Sequence, residues 1–258
     1  MKKMLLMTVG FAALGMAPVV AADLAPRTFT KAPPAAVAIY DWTGFYLGFN
    51  AGGALSHDCW DLTSDARQGV FNPPVKEGCH SATGAVAGGQ IGYRWQSANW
   101  VFGVEAQGDW ADLSGSNTSL VLHLANGDQE LNTTKIDSIG LFTGQVGYAW
   151  NNTLWYLKGG AAVTHAKYNG SVDAFSDHAS ETRWGGAVGT GFEYGFTPNW
   201  SVGIEYDHLF LGTHGNAFNS VVNGTPLVSR TDSIKQDVDM ATVRLNYRFG
   251  GAPLFGKF

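Results

Sequence analysis

The sequence predicts an all-β fold, an eight-stranded antiparallel up-and-down transmembrane β-barrel. Three observations carry that prediction. Eight segments alternate apolar and polar residues with period two. The connections between them alternate long and short, 56–83, 96–98, 111–134, 151–152, 166–181, 197–198 and 211–236, and outer-membrane barrels pair long external loops with short periplasmic turns. Six of the nine tryptophans (Trp42, Trp95, Trp100, Trp150, Trp155, Trp200) flank the short connections or the approach to the first segment, as an aromatic girdle at one membrane interface would. A secreted β-sandwich or soluble barrel also has short alternating strands. It has no physical reason to gather its largest rings at one end.

The strands are expected as follows. Strand one, about 43–55, sets Phe45, Leu47, Phe49 and Ala51 against Tyr46, Gly48, Asn50 and Gly52. Strand two, about 84–95, sets Ala85, Ala87, Ile91, Tyr93 and Trp95 against Gly88, Gln90, Gly92 and Arg94. Strand three, about 99–110, sets Trp100, Phe102, Val104, Ala106 and Trp110 against Glu105, Gln107 and Asp109. Strand four, about 135–150, carries Ile136, Phe142, Val146, Tyr148 and Trp150 on one face, and Asn151-Asn152 then signals a tight turn. Strand five, about 153–165, sets Trp155, Leu157, Ala161 and Val163 against Tyr156 and Lys158. Strand six, about 182–196, sets Trp184, Val188, Phe192, Tyr194 and Phe196 against Arg183 and Glu193. Strand seven, about 199–210, sets Trp200, Val202, Ile204 and Tyr206 against Glu205 and Asp207. Strand eight, about 237–249, sets Val243, Leu245, Tyr247 and Phe249 against Arg244, Asn246 and Arg248.

Residues 1–22 read as a secretory signal peptide. Lys2 and Lys3 precede an apolar run, and Val20-Ala21-Ala22 offers a cleavage site before Asp23. Residues 23–41 are Pro/Ala-rich without periodicity, a flexible periplasmic segment. Residues 42–258 form the barrel domain. No other segment holds the ~18 uninterrupted apolar residues of a spanning helix, so a membrane protein made from this chain must be a closed barrel. Eight strands put both termini in the periplasm. Loss of Lys2 and Lys3 takes the formal net charge from −5 to −7, which argues against nucleic acid as a partner, because phosphate binding needs concentrated Lys and Arg. Charged residues make up only 14%, low for a soluble surface. The mean hydropathy of −0.04 is uninformative, since alternating faces cancel in an average.

An eight-stranded lumen is just wide enough for side chains to fill. The inward face carries Arg94, Lys158, Arg183, Arg244 and Arg248 against Glu105, Asp109, Glu193, Glu205 and Asp207. A lipid-facing Arg or Lys at the bilayer midplane would cost ~2–4 kcal/mol, which inward pairing avoids. Inward glycines such as Gly48, Gly88 and Gly92 leave room for long charged chains, so a salt-bridged, plugged core is expected. The functional alternative is a charged lining for a narrow ion path.

Cys59 and Cys79 sit in an exported chain, where an even pair most simply forms one disulfide, here closing the first long loop. His57 and His80 lie beside them, so a tetrahedral zinc site is the alternative, though the spacing matches no standard finger. The seven histidines are scattered; His208 and His214 flank the top of strand seven, and no serine sits beside either in a recognisable nucleophile–base arrangement. Loop histidines could ligate haem, but no pair is singled out. The expectation is no enzyme activity and no cofactor.

Two stretches also resemble a known family. Ala22-Asp23-Leu24-Ala25-Pro26-Arg27, Thr30-Lys31-Ala32-Pro33 and Asp41-Trp42-Thr43-Gly44-Phe45-Tyr46-Leu47-Gly48 are similar to the N-terminal signature of the alphaproteobacterial outer-membrane immunogenic proteins. Val243-Arg244-Leu245-Asn246-Tyr247-Arg248-Phe249-Gly250-Gly251 is similar to that family's last strand. The resemblance implies an abundant, surface-exposed, antigenic outer-membrane barrel that supports envelope integrity, with haemin binding in some relatives and no catalytic residues. The expected partners are outer-membrane lipid, lipopolysaccharide and the barrel assembly machinery, which would read a last-strand aromatic. Phe249 fits as the end of the last strand, while Phe258 ends a short tail, and the sequence leaves open which of the two is read. The oligomeric state is left open by lipid-facing strands without a polar seam.

Overall fold

The computed structural model describes residues 40–66, 68–123, 129–172, 175–222 and 225–250. The expected signal peptide, most of segment 23–41 and Phe258 lie outside them. Eight antiparallel strands follow chain order around a closed ring: β1 (Gly44–Asp65), β2 (Gly69–Ser97), β3 (Trp100–His123), β4 (Gln129–Trp150), β5 (Thr153–Val172), β6 (Phe175–Gly195), β7 (Trp200–Val222) and β8 (Thr225–Arg248). β1 pairs with β8, for example Phe49 with Leu245, so the ring has no free edge. At one end, here the turn end, the short connections 98–99, 151–152 and 196–199 close three hairpins. Asn151 takes φ 54° in one of them, a left-handed conformation that asparagine tolerates. Among the described residues no helix is long and apolar enough to cross a membrane, which says nothing about a barrel.

The strands run 20 to 29 residues, about twice the ~9–11 that cross a bilayer in a tilted barrel. An apolar belt occupies the half nearest the turn end, at about 45–55, 85–95, 100–110, 140–150, 153–163, 184–194, 200–210 and 241–249. Phe49, Ile91, Val104, Phe142, Val188, Ile204 and Val243 point outward there and are exposed. One edge of the belt carries Trp95, Trp100, Trp150, Trp155 and Trp200; Trp110, Trp184 and Phe210 mark the other, with Trp110 79% exposed.

Beyond the second edge the two faces exchange chemistry. β3 turns Trp110 outward and Asp109 inward, then Asp112 outward and Ala111 and Leu113 inward. β8 runs from inward Arg244 and Thr242 to inward Met240, Val238 and Ile234, with Asp237 and Lys235 outside. Period-two alternation persists, while the apolar face moves from the outside to the inside. The upper half of the barrel therefore holds an ordinary hydrophobic core. Trp60, Leu113, Ile136, Tyr168, Leu211, Phe218 and Ile234 meet in it, all nearly or fully buried, and Leu62, on the same face of β1 as Trp60, is fully buried as well.

Three expectations are corrected. The segments 56–83, 111–134, 166–181 and 211–236, expected as long loops, are largely strand. Their apolar residues pack inside, so they do not read as lipid-facing strand. Ile136, expected on the apolar outer face of strand four, is fully buried. A register shift between Ile136 and Ser138 inserts one residue into β4 and reverses the phase above it. Trp42, expected in the outer girdle, is 2% exposed and lies inside the barrel mouth with Tyr40, Val101, Ala149, Leu154 and Tyr156.

Candidate functional site

The lumen concentrates the unusual chemistry of the chain. At the level of the apolar belt, β3, β5, β7 and β8 turn Glu105, Lys158, Glu205, Asp207 and Arg244 inward, each at most 5% exposed. The Lys158 Nζ lies 2.8 Å from Glu205 Oε1, 3.3 Å from Asp207 Oδ1 and 3.4 Å from Glu105 Oε1. The Arg244 guanidinium bridges Glu105 and Glu205. Two tyrosines complete the net: Tyr46 Oη donates to Glu105 Oε2 at 2.6 Å and Tyr156 Oη to Glu205 Oε2 at 2.5 Å. Nearer the turn end, Arg94 Nη1 meets Glu193 Oε2 at 2.9 Å, and its guanidinium stacks 4.5 Å from the Tyr46 ring. Glu193 also accepts from Ser201 and from Asn246 Nδ2. Buried charges survive only with such partners, because an unpaired one would pay its full desolvation cost. Glycines make the room: a Cβ at Gly92 would overlap the Tyr46 ring, and one at Gly191 the Tyr156 ring.

Below the net, Tyr40 and Trp42 close the turn-end mouth. Tyr40 N donates to Asn152 Oδ1 (3.1 Å) and Trp42 N to Gln96 Oε1 (3.0 Å). The Tyr40 ring lies against Gly195, where a Cβ would overlap it.

A second charged cluster sits at the far end, outside the belt. Arg230 Nη1 lies 2.9 Å from Glu130 and 3.2 Å from Glu77; Arg230 Nε lies 3.3 Å from Asp232 and 3.4 Å from Asp177. Four carboxylates thus share one guanidinium, over the Phe218 ring at 4.6 Å. Burial, together with repulsion from the neighbouring carboxylates, outweighs Arg230 and pushes Asp232 up to about 8 and Glu130 up to about 7. At neutral pH the cluster is then held partly by protons.

The expected lumen charges divide among these places. Arg94, Glu105, Lys158, Glu193, Glu205 and Arg244 meet in the belt-level net. Arg183 does not join it. It lies in the upper half, where Arg183 Nη2 donates to Glu181 Oε2 at 2.7 Å and Glu181 also meets His214 Nδ1 at 2.6 Å. Arg248 does not join either. It sits at the turn-end rim and donates to the carbonyls of Thr43 (3.0 Å) and Pro198 (2.8 Å). Phe249, the end of the last strand, is half exposed beside Tyr247. Tyr46 and Tyr156 were legible as inward residues but not as ligands of the carboxylates. Arg230 and its partners fell in segments expected as loops, and only the apolar phase of Trp60 and Leu62 signalled that those segments continue the wall.

Cys59 and Cys79 form a disulfide between directly paired residues of β1 and β2, Cα–Cα 4.1 Å, on the outer wall. It is a rung between strands, not a clasp on a free loop. His57 Nε2 lies 3.7 Å from Cys59 Sγ, and the His57, Cys59 and Cys79 donor atoms fall within 4.8 Å of one another. The two sulfurs are bonded to each other, so no thiolate is available and the set does not fit zinc. His80 points inward, 2.7 Å from Asn117 Oδ1 and 3.0 Å from Thr134 Oγ1. On the outer face, a groove of about 420 Å³ runs between β6, β7, β8 and β1, lined by Phe192, Ile204, Tyr206 and Val243. It lies in the belt, and Glu205 of the charged net is part of its lining.

Comparison with known proteins places this architecture. Residues 10–249 match the family described as outer membrane protein beta-barrel domain. The 31 kDa outer-membrane immunogenic protein of Brucella melitensis is 30% identical over 261 residues, covering 96% of this chain and 100% of that protein. The 22 kDa outer membrane protein of Rhizobium leguminosarum bv. viciae is 32% identical over 167 residues, 64% of this chain and 62% of that protein. Among solved structures, OprG from Pseudomonas aeruginosa aligns with a TM-score of 0.50 at 13% identity, covering 82% of this chain and 99% of that one. The outer membrane protease OmpT from Escherichia coli also aligns at 0.50, with 10% identity, covering 80% of this chain and 97% of that one. At such identities the likeness is one of fold alone. With its belt, closed ring and matched length, the chain belongs to the outer membrane protein β-barrel family of Gram-negative bacteria.

Proposed function

We propose that this chain is a non-enzymatic outer-membrane protein whose filled barrel anchors a rigid, surface-exposed β-wall, contributes to envelope integrity and presents a surface antigen. The observation that carries this reading is the lumen. It is occupied at successive levels by the Tyr40–Trp42 pair, the Arg94–Glu193 and Arg244–Glu105–Glu205 net, the Trp60 core and the Arg230 cluster. A path for solutes would have to break buried ion pairs and a packed apolar core in series. The Brucella relative's name, an immunogenic outer-membrane protein, supports the surface role. In this reading the turn end and both termini face the periplasm, where the assembly machinery meets Phe249, and the far end projects from the cell. The outer belt contacts outer-membrane lipid and lipopolysaccharide.

The test is conductance of the purified, refolded protein in planar bilayers. Absent or very small steps are expected. Large stable steps would overturn the filled-lumen reading and favour passive transport.

A further inference from the structure

Lysine is sparse on the outer wall, yet two lysines stand side by side there. Lys135 of β4 and Lys167 of β5 are direct cross-strand partners and both point outward, half exposed. Like charges directly opposite one another on a sheet repel. Each is steadied by one carboxylate: Lys135 Nζ lies 3.2 Å from Asp112 Oδ1 and Lys167 Nζ 2.7 Å from Asp137 Oδ2. An ammonium has three donors. Among the described residues each of these two meets a single carboxylate, which leaves donors free for a ligand.

Two register irregularities build this patch. β3 gains a residue against β4 between Trp110 and Leu113, and β4 gains one against β5 between Ile136 and Ser138. The inserted residues include Asp112 and Asp137, the partners of the two lysines. Bulges that re-aim side chains recur beside functional sites.

Height along the wall is the second observation. Trp110, Phe142 and Trp184 form the far aromatic edge of the belt on this side, Phe142 and Trp184 being stacked 6.2 Å apart. Asp112 follows Trp110 by two residues, and Lys167 follows Val163 by four. Two to four residues of tilted strand carry the ammonium groups just above that edge, where lipid phosphates lie, and flexible lysine stems reach that level. The other described outward lysines lack this arrangement: Lys76 is paired with Asp61, and Lys235 with Cys59 and Thr213.

We propose that Lys135 and Lys167 form a site for the phosphate groups of an outer-leaflet glycolipid, the phosphorylated lipid anchor of lipopolysaccharide, whose acyl chains would lie against the Phe142–Trp184 edge. The assignment to the outer leaflet rests on the orientation given under Proposed function.

The test compares the full-length refolded protein with Lys135→Gln/Lys167→Gln and with Lys76→Gln/Lys235→Gln, which makes the same charge change elsewhere. Retention of bisphosphorylated lipid A in detergent is measured by native mass spectrometry, beside its dephosphorylated form and with inorganic phosphate as competitor. A tenfold or greater loss of retention is expected for the first variant only, for the bisphosphorylated lipid only, and without displacement by inorganic phosphate. Equal retention by the two variants, or by the two lipids, would overturn the site. Displacement by inorganic phosphate would overturn the lipid in favour of a plain anion. Heat-modifiable migration verifies that each variant is folded. Orientation is read separately, by protease added to intact cells. Cleavage of the far-end connections supports it, and complete protection would refute the orientation while leaving the binding result to stand alone.

Discussion

The two halves of this barrel invert one another. In the belt the outside is apolar and the inside holds Glu105, Lys158, Glu205 and Arg244; above it the outside carries Asp112, Lys135, Lys167 and Asp237, and the inside holds Trp60, Ile136, Leu211 and Phe218. One ladder of hydrogen bonds runs through both. The comparison shows that strand pairing is indifferent to which face is apolar. The solvent outside decides, because lipid removes any advantage of burying apolar groups inward, while water restores it. The lower half is held chiefly by paired charges across its lumen, and the upper half chiefly by apolar burial, with the Arg230 cluster at its far end. The halves should therefore respond to different insults.

The largest effect should come from the belt-level net. Arg244→Ala leaves Glu105 and Glu205 with Lys158 as the one cation bridging them, beside the Tyr46 and Tyr156 hydroxyls, and should cost about 3–5 kcal/mol, as removal of one partner of a buried ion pair does. Urea titration of the detergent-folded protein would measure it. Loss below about 1 kcal/mol would mean that water already reaches the net. Trp60→Ala should cost a similar or slightly smaller amount, about 3–5 kcal/mol, but confined to the upper half. Limited proteolysis should then open the upper wall while heat-modifiable migration persists. Loss of both together would show that the halves unfold as one unit.

A change of pH should separate the halves next. Asp232, pushed up to about 8, and Glu130, pushed up to about 7, bind protons in the folded protein that the unfolded chain has released. Their contribution to stability is therefore full below the ordinary carboxylate range and is lost as pH rises through about 7 to 8. The urea midpoint of the upper half should fall between pH 6 and pH 9, and Asp232→Asn should flatten that fall. An unchanged slope in the variant would place the titration elsewhere. The smallest effect should be that of the disulfide. Cys59→Ser/Cys79→Ser opens a loop of 20 residues in sequence separation, worth ~3 kcal/mol if the chain-entropy model applied in full. β1 and β2 are paired on both sides of the bridge, so a loss well under that figure is expected from thermal melting.

Legibility followed the same divide. The eight strands, their order, the turns and the facing of Phe45, Trp100, Glu105, Lys158 and Arg244 could be read because apolar residues alternating with charges leave no other arrangement in a membrane. The upper strands read as loops in the sequence. Trp60 and Leu62 alternate with Asp61 as strictly as Phe45 and Leu47 alternate with Tyr46, but in the opposite phase, and a phase reversal looks locally like the end of a strand. Bulges added to this: one extra residue near Asp137 moved Ile136 from the expected outer face to the core. Trp42 sits next in sequence to the first outward-facing strand and reads as part of its girdle, and only the fold shows that it lies in the mouth before β1 begins.

By itself the sequence determined the class of fold, the membrane belt and the sign of the inward side chains within that belt, because period-two alternation and the cost of charge in lipid act residue by residue. The tertiary structure decided which charges meet. It separated Arg183 and Arg248 from the net, gathered four carboxylates on Arg230, and set Lys135 beside Lys167. Those juxtapositions depend on register around a closed ring, which no single strand encodes, since each strand's height is set by its pairing with both neighbours and by every bulge between them.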